Sequence, residues 1–169
     1  QTTTLQNQTV SLKMIKNIVI LLVCISLISC RDNETVLFEK FNPVNTDGWA
    51  HTDTISFEFD ALDSLKRYDF NLRLRTEKSY PYANLYLFIL TEFPNGKSAF
   101  DTLSYMLADP SGKWYGKSTG SLIESEITYK RTTIPYKGHY KMNVIQAMRE
   151  QTLYGVSDIG LKIVKKEKS

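Results

Sequence analysis

The stretch YDFNLRLR, residues 68–75, sets the tightest limit on what this chain can fold into. Tyr68, Phe70, Leu72 and Leu74 alternate without a break with Asp69, Asn71, Arg73 and Arg75. In an extended chain successive side chains point to opposite faces, so this period of two describes a strand with one dry and one wet face. A helix would scatter the same residues around its circumference. ISFEFD (55–60) repeats the pattern with Ile55, Phe57 and Phe59 in phase. GHYKMNV (138–144) places Tyr140, Met142 and Val144 inward, and IGLKIV (159–164) does so with Ile159, Leu161 and Ile163. LYLFIL (85–90) is apolar at every position, which predicts a central strand covered on both faces. TVLFEKF (35–41), SAFDTLSYML (98–107) and SEITYKRTTI (125–134) are further strand candidates.

Turn signals separate these segments: NTDG at 45–48, FPNGK at 93–97, DPSGK at 109–113 and PYKG at 135–138. Proline presets the second turn position, and glycine or asparagine supplies positive φ. The pattern predicts an all-β fold, an antiparallel sandwich of jelly-roll type with about seven to nine strands. One short helix at most fits, in VIQAMREQTLYG (144–155). The sandwich is expected over residues 37–165, followed by a tail at 166–169, and the chain shows no internal repeat, low-complexity segment or second domain.

The N-terminal part reads differently. Ile18 to Ile28 is apolar apart from Ser26, with Lys13 and Lys16 just ahead. Some 11 apolar residues fall well short of the roughly 20 that span a bilayer. A basic flank, a short apolar run and small residues form the pattern of a secretory signal peptide, here expected at 14–29 from Met14. Leu27-Ile28-Ser29-Cys30 resembles a bacterial lipobox, in which cysteine becomes the first mature residue and carries the lipid. The alternative is a buried N-terminal element with two inert thiols, since free cysteine is often buried. Residues 1–13, polar and rich in threonine and glutamine, resemble an over-extended and disordered start, and 30–36 reads as lipid anchor and tether.

On this reading Cys24 leaves with the signal and the Cys30 sulfur is consumed in a thioether. The mature domain then has no thiol for a disulfide or a cysteine metal site, so a hydrophobic core must supply its stability. Without Lys13 and Lys16, the 21 basic residues fall to 19 against 18 acidic ones. Such a balance is no footprint for nucleic acid, whose binding relies on clustered lysine and arginine. The basic KIVKKEKS end is read as a solvated tail.

Chemical motifs are few. The two histidines, His51 and His139, lie in no H-x-x-x-H pattern, and GKWYGKS (112–118) has three residues between its glycines where a phosphate-binding loop needs four. Neither a cofactor nor a small-molecule substrate is expected. Asp101, Asp109, Glu124 and Glu126 could pair across a cleft as glycoside hydrolysis requires, though carboxylates on strands are commonly a solvated face. Trp49, Tyr80, Tyr82, Trp114 and Tyr115 lie in or beside expected loops. Flat rings there would either stack on sugars, as in a carbohydrate-binding module, or close the ends of the sandwich.

Three stretches carry a resemblance: YPYANLYLFI (80–89), PNGKSAFDTLSYMLADPSGKWYGKSTG (94–120) and YKMNVIQAMREQTLYGVSDIGLKI (140–163). Together with the lipobox at Cys30, their order and spacing resemble the gliding-motility lipoprotein GldH family of the Bacteroidetes. The resemblance implies a non-catalytic envelope lipoprotein, anchored through lipid on Cys30. It implies a role in gliding, coupled to type IX secretion and adhesin display, through protein partners of that machinery. Arg31 in place of an aspartate, with Asp32 and Glu34, points to the outer membrane and leaves the leaflet open. Asp109, Gly112, Lys113, Trp114 and Gly116 fit a structured turn, and Trp49, Tyr82, Asp109, Lys113 and Trp114 are the candidates for a partner or glycan surface.

Overall fold

The computed structural model describes residues 35–166. Residues 1–13, the signal segment 14–29 and Cys30 lie outside the described residues. Eleven strands follow in order: β1 (Thr35–Pro43), β2 (Trp49–Ala50), β3 (Thr54–Ala61), β4 (Arg67–Glu77), β5 (Asn84–Glu92), β6 (Ser98–Met106), β7 (Lys117–Thr119), β8 (Leu122–Thr133), β9 (Gly138–Gln146), β10 (Thr152–Leu153) and β11 (Val156–Lys166). Eight of these match the eight expected strand segments, four of which alternation marks. The other three have two or three residues, too short to show a period.

The strands form a five-stranded sheet, β1-β11-β4-β8-β7, and a four-stranded sheet, β3-β9-β5-β6, with a two-residue ribbon of β10 and β2. Every pairing is antiparallel. Among the eight long strands the chain changes sheet at every step except the β5–β6 hairpin, and this double Greek-key path makes a jelly roll.

The dry faces of the alternating strands meet between the sheets. Phe57, Leu72, Leu74, Leu85, Leu87, Ile89, Met142, Val144, Leu161 and Ile163 are essentially buried in one continuous core. Burying each such side chain is worth about 1.5–3 kcal/mol, which makes this apolar layer the dominant stabilising term. Phe59 stacks on Tyr140 at 5.3 Å and touches Phe38 and Phe70, binding the two sheets at one end.

Polar residues of β4 build the outer face of the five-stranded sheet. Arg73 donates to Glu39 of β1 and Glu124 of β8, and Arg75 Nε donates to Glu124 at 2.9 Å. Both guanidinium groups lie over the Phe41 ring, 4.6 and 3.9 Å from its centroid. Phe41 can lie flat there because its cross-strand neighbour is Gly160. A Cβ at that position would come within 2.7 Å of the ring.

The short helix for which the sequence left room does not form, and one expectation is corrected. VIQAMREQTLYG holds no helix: Val144 to Gln146 end β9, and β10 follows a bend at 147–151. Gln146 explains this. Its buried amide accepts from Met148 N at 2.8 Å and donates to Glu150 O at 2.9 Å, satisfying the backbone of the bend in place of a helical ladder. LYLFIL is covered on one face only. Leu85, Leu87 and Ile89 are buried, but Tyr86 and Phe88 are 43% and 39% exposed. No described element packs over the outer face of the four-stranded sheet.

Candidate functional site

Three regions collect the residues that could do chemistry or make contacts. The first is the loop between β6 and β7. Asp109 accepts from Ser111 N at 2.8 Å, Ser111 Oγ at 2.6 Å and Lys113 N at 3.0 Å. Its backbone N donates to Lys113 O at 2.9 Å, and Gly112 completes the turn at φ +84°. The Ser111 hydroxyl first, then the Lys113 amide, hold the Asp109 carboxyl below the ordinary carboxylate value. Asp109 is thus a turn-building residue. The side chain of Lys113 lies on the exposed tip of this turn.

The second region is aromatic. Tyr80 contacts Tyr82 at 5.7 Å with an interplanar angle of 73°, and Trp114 at 6.4 Å and 50°. Trp114 is half-buried against the core. Tyr82 donates its hydroxyl to Glu150 at 3.0 Å. Trp49 departs from the surface role: it is 1% exposed, and its indole N–H donates to Asp53 O at 2.9 Å. Satisfying the single indole donor inside lets the large ring become core. The fold thus joins Tyr82 and Trp114 through Tyr80, with Trp49 removed inward, and Tyr80 lies tilted to both rings. A groove of about 510 Å³ beside Tyr82 is also lined by Tyr86, Met148, Arg149 and Glu150.

The four carboxylates that could have served hydrolysis are each engaged. Asp101 accepts from the Tyr129 hydroxyl and from Lys130 Nζ at 3.0 Å. Asp109 closes its turn. Glu124 binds Arg73 and Arg75, while Glu126 lies 3.5 Å from Arg73 Nε, so a cation stands between the two glutamates. His139 lies on the exposed outer face, with Nδ1 3.1 Å from Asp60, and His51 Nδ1 is 3.2 Å from Gln151 O. Among the described residues no group of three or more His, Cys, Asp or Glu could hold a metal ion.

These pairings give a pH window. The Tyr129 hydrogen bond, followed by Lys130, lowers the Asp101 pKa. Burial raises that of Glu124, but Arg75 and Arg73 outweigh it and the net shift is downward. Carboxylates lowered in the folded state stabilise above their ordinary pKa, and that stability is lost as pH falls towards the folded value. Tyr80, Tyr105 and Tyr129 are raised by burial, so their contribution is complete below the ordinary value of 10.0 and is lost above it. The melting temperature should therefore hold a plateau at neutral pH and fall on both sides. Asp101→Asn should flatten the acid limb, as melts at stepped pH would show.

The third region was not marked in advance. Tyr86 and Phe88 of β5 share the outer face of the four-stranded sheet with Phe100 and Met106 of β6, which are 62% and 53% exposed. Phe88 and Phe100 touch at 5.3 Å. Single exposed apolar residues are ordinary, but a contiguous band of aromatic and methionine side chains marks a contact surface.

With this geometry in view, likeness to known proteins becomes informative. Residues 36–163 match the profile of the GldH lipoprotein family. The chain is 35% identical over 156 residues to the gliding motility lipoprotein GldH of Flavobacterium johnsoniae, covering 88% of this chain and 96% of that one. It is 33% identical over 159 residues to the gliding motility lipoprotein GldH homolog of Christiangramia forsetii, covering 89% and 96%. A solved fructofuranosidase of Schwanniomyces occidentalis matches 81% of this chain and 35% of its own, at 10% identity and a TM-score of 0.38. At that distance its sugar chemistry does not transfer. The family match spans nearly every strand of the sandwich, and the chain belongs to the GldH lipoprotein family, whose relatives are gliding motility lipoproteins.

Proposed function

We propose that this chain is a non-catalytic lipoprotein of the outer membrane, held by lipid on Cys30, that supports gliding by contacting proteins of the type IX secretion and adhesin-display machinery. Family membership across residues 36–163 carries the reading. The described surface adds to it: the four carboxylates named above are tied into turns and ion pairs, while the apolar band on β5 and β6 faces outward. An apolar surface with Arg149 and Glu150 beside Tyr86 suits protein contact better than it suits catalysis. The membrane end of the chain fits the same picture. Each buried acyl CH₂ contributes about 0.8 kcal/mol, and two or three chains hold a domain at the surface where one anchors only marginally.

Surface labelling of adhesins tests the secretion part of this reading. A strain lacking the gene should show depleted adhesins on intact cells, restored by a plasmid copy. Unchanged display would sink the coupling to secretion.

A further inference from the structure

Sheet edges invite unwanted pairing, and natural proteins blunt them with bulges, charges, proline or short strands. Three of the four edges of the two main sheets carry such devices. β1 has a bulge between Val36 and Phe38, carries Glu39 and Lys40, and ends at Pro43. β3 presents Glu58 and Asp60 on its outer face. On the far side, β7 has three residues, and β8 beyond it bulges at Tyr129 and carries Lys130 and Arg131.

β6 has the fewest of these, a single inward charge. Its sequence SAFDTLSYM contains no lysine, arginine, proline or glycine, and it pairs with β5 over nine consecutive residues without a register shift. Its one charge, Asp101, is turned towards β8 and taken up by Tyr129 and Lys130. The outer row runs Ser98, Phe100, Thr102, Ser104, Met106, with Phe100 and Met106 well exposed.

We infer that β6 is a self-association edge, pairing antiparallel with β6 of a second copy about a twofold axis through Thr102. The sequence is self-complementary in that register. Ser98 faces Met106, Phe100 faces Ser104, and Thr102 faces its own mate, so each bulky residue meets a small one and the threonines meet each other, a favourable cross-strand pair. The Asp101 carboxylates face Leu103 and do not oppose each other. Below the strand, Lys130 lies beside Asp101, while Glu126 lines the groove with Tyr105. In this register Lys130 lies as near its own mate as it does the second copy's Glu126, and its ion pair with Asp101 of its own copy leaves the charges beneath the strand neither driving nor opposing the pairing. The closed pair removes the exposed edge and joins two apolar bands into one, an isologous interface of the commonest symmetry. This inference rests on the edge itself and stands independently of adhesin display.

Cysteine trapping in native membranes tests it on the full chain. Residues opposite each other across an antiparallel pair have Cα atoms about 4.5–5.5 Å apart, within reach of a disulfide. Thr102→Cys should give a disulfide-linked homodimer under mild oxidation, above any background of the parent chain. Ser98→Cys should not, because the two cysteines would lie about 27 Å apart along the strands at ~3.4 Å per residue. Thr102→Lys sets like charges at the axis, and sedimentation of the detergent-solubilised chain should change from dimer to monomer with its circular dichroism intact. No Thr102→Cys dimer, equal trapping at both positions, or an adduct with a different protein would each overturn self-pairing. If the lysine variant misfolds, the cysteine pair alone decides.

Discussion

Phe57→Ala should cost about 3–5 kcal/mol, read as a drop in the urea midpoint with an unchanged slope. Phe57 is 0% exposed in the middle of β3, opposite Met142 of β9 and edge-on to Phe38 at 6.4 Å. Truncation removes its transfer energy and leaves a cavity between two sheets whose hydrogen-bonded ladders cannot collapse into it. Domains of this size have only about 5–15 kcal/mol in total, so the variant should be marginal at growth temperature. Phe100→Ala is the matched control: it deletes the same ring from the outer face, where it is 62% exposed and loses its contact with Phe88, and should cost about 1 kcal/mol. Equal losses at the two positions would contradict the assignment of inner and outer faces.

Cys30→Ala should separate the domain from the membrane. The β-sandwich spans 35–166 and has its own core, so loss of the anchor residue should leave the fold intact. What changes is location. Acyl chains on Cys30 are the proposed attachment, and without the thiol there is no atom to carry the thioether. The variant should leave the sedimenting envelope fraction, or persist as a longer precursor that keeps its signal segment, with the parent's thermal melt. A variant that stays in the envelope fraction at mature size would remove Cys30 as the anchor.

Strand identity was legible where one face is wet and the other dry. YDFNLRLR and ISFEFD have a single solution for which side enters the core, and their inner residues are buried as the alternation requires. The jelly-roll class followed from the number of strands and the turns between them. Segments in which a local signal competes with a distant partner were less readable. VIQAMREQTLYG has helix-forming residues, yet Gln146 satisfies the bend through a side chain, and no propensity scale registers that competition. Trp49 reads as a loop aromatic because it follows the NTDG turn; its place in the core depends on the indole donor reaching Asp53 O.

The apolar band was the larger omission, and its signal was present. LYLFIL is apolar on both faces, but that does not say whether a layer covers each face. Its neighbour SAFDTLSYM places serine and threonine between Phe100 and Met106 on the outer row, a composition that suits a face left open in the single chain. The pairing of β5 with β6 is needed to see that Phe88 and Phe100 are neighbours. Asp109 shows the reverse case. DPSGK reads as a turn by sequence alone, and the three hydrogen bonds its carboxylate accepts make it one.

Whether this chain works in gliding is decided by colony spreading of a strain from which its gene has been removed. Membership of the GldH lipoprotein family leads to compact, non-spreading colonies, with spreading restored by the parent chain and not by Cys30→Ala. Spreading at the parental rate without the gene would contradict the role.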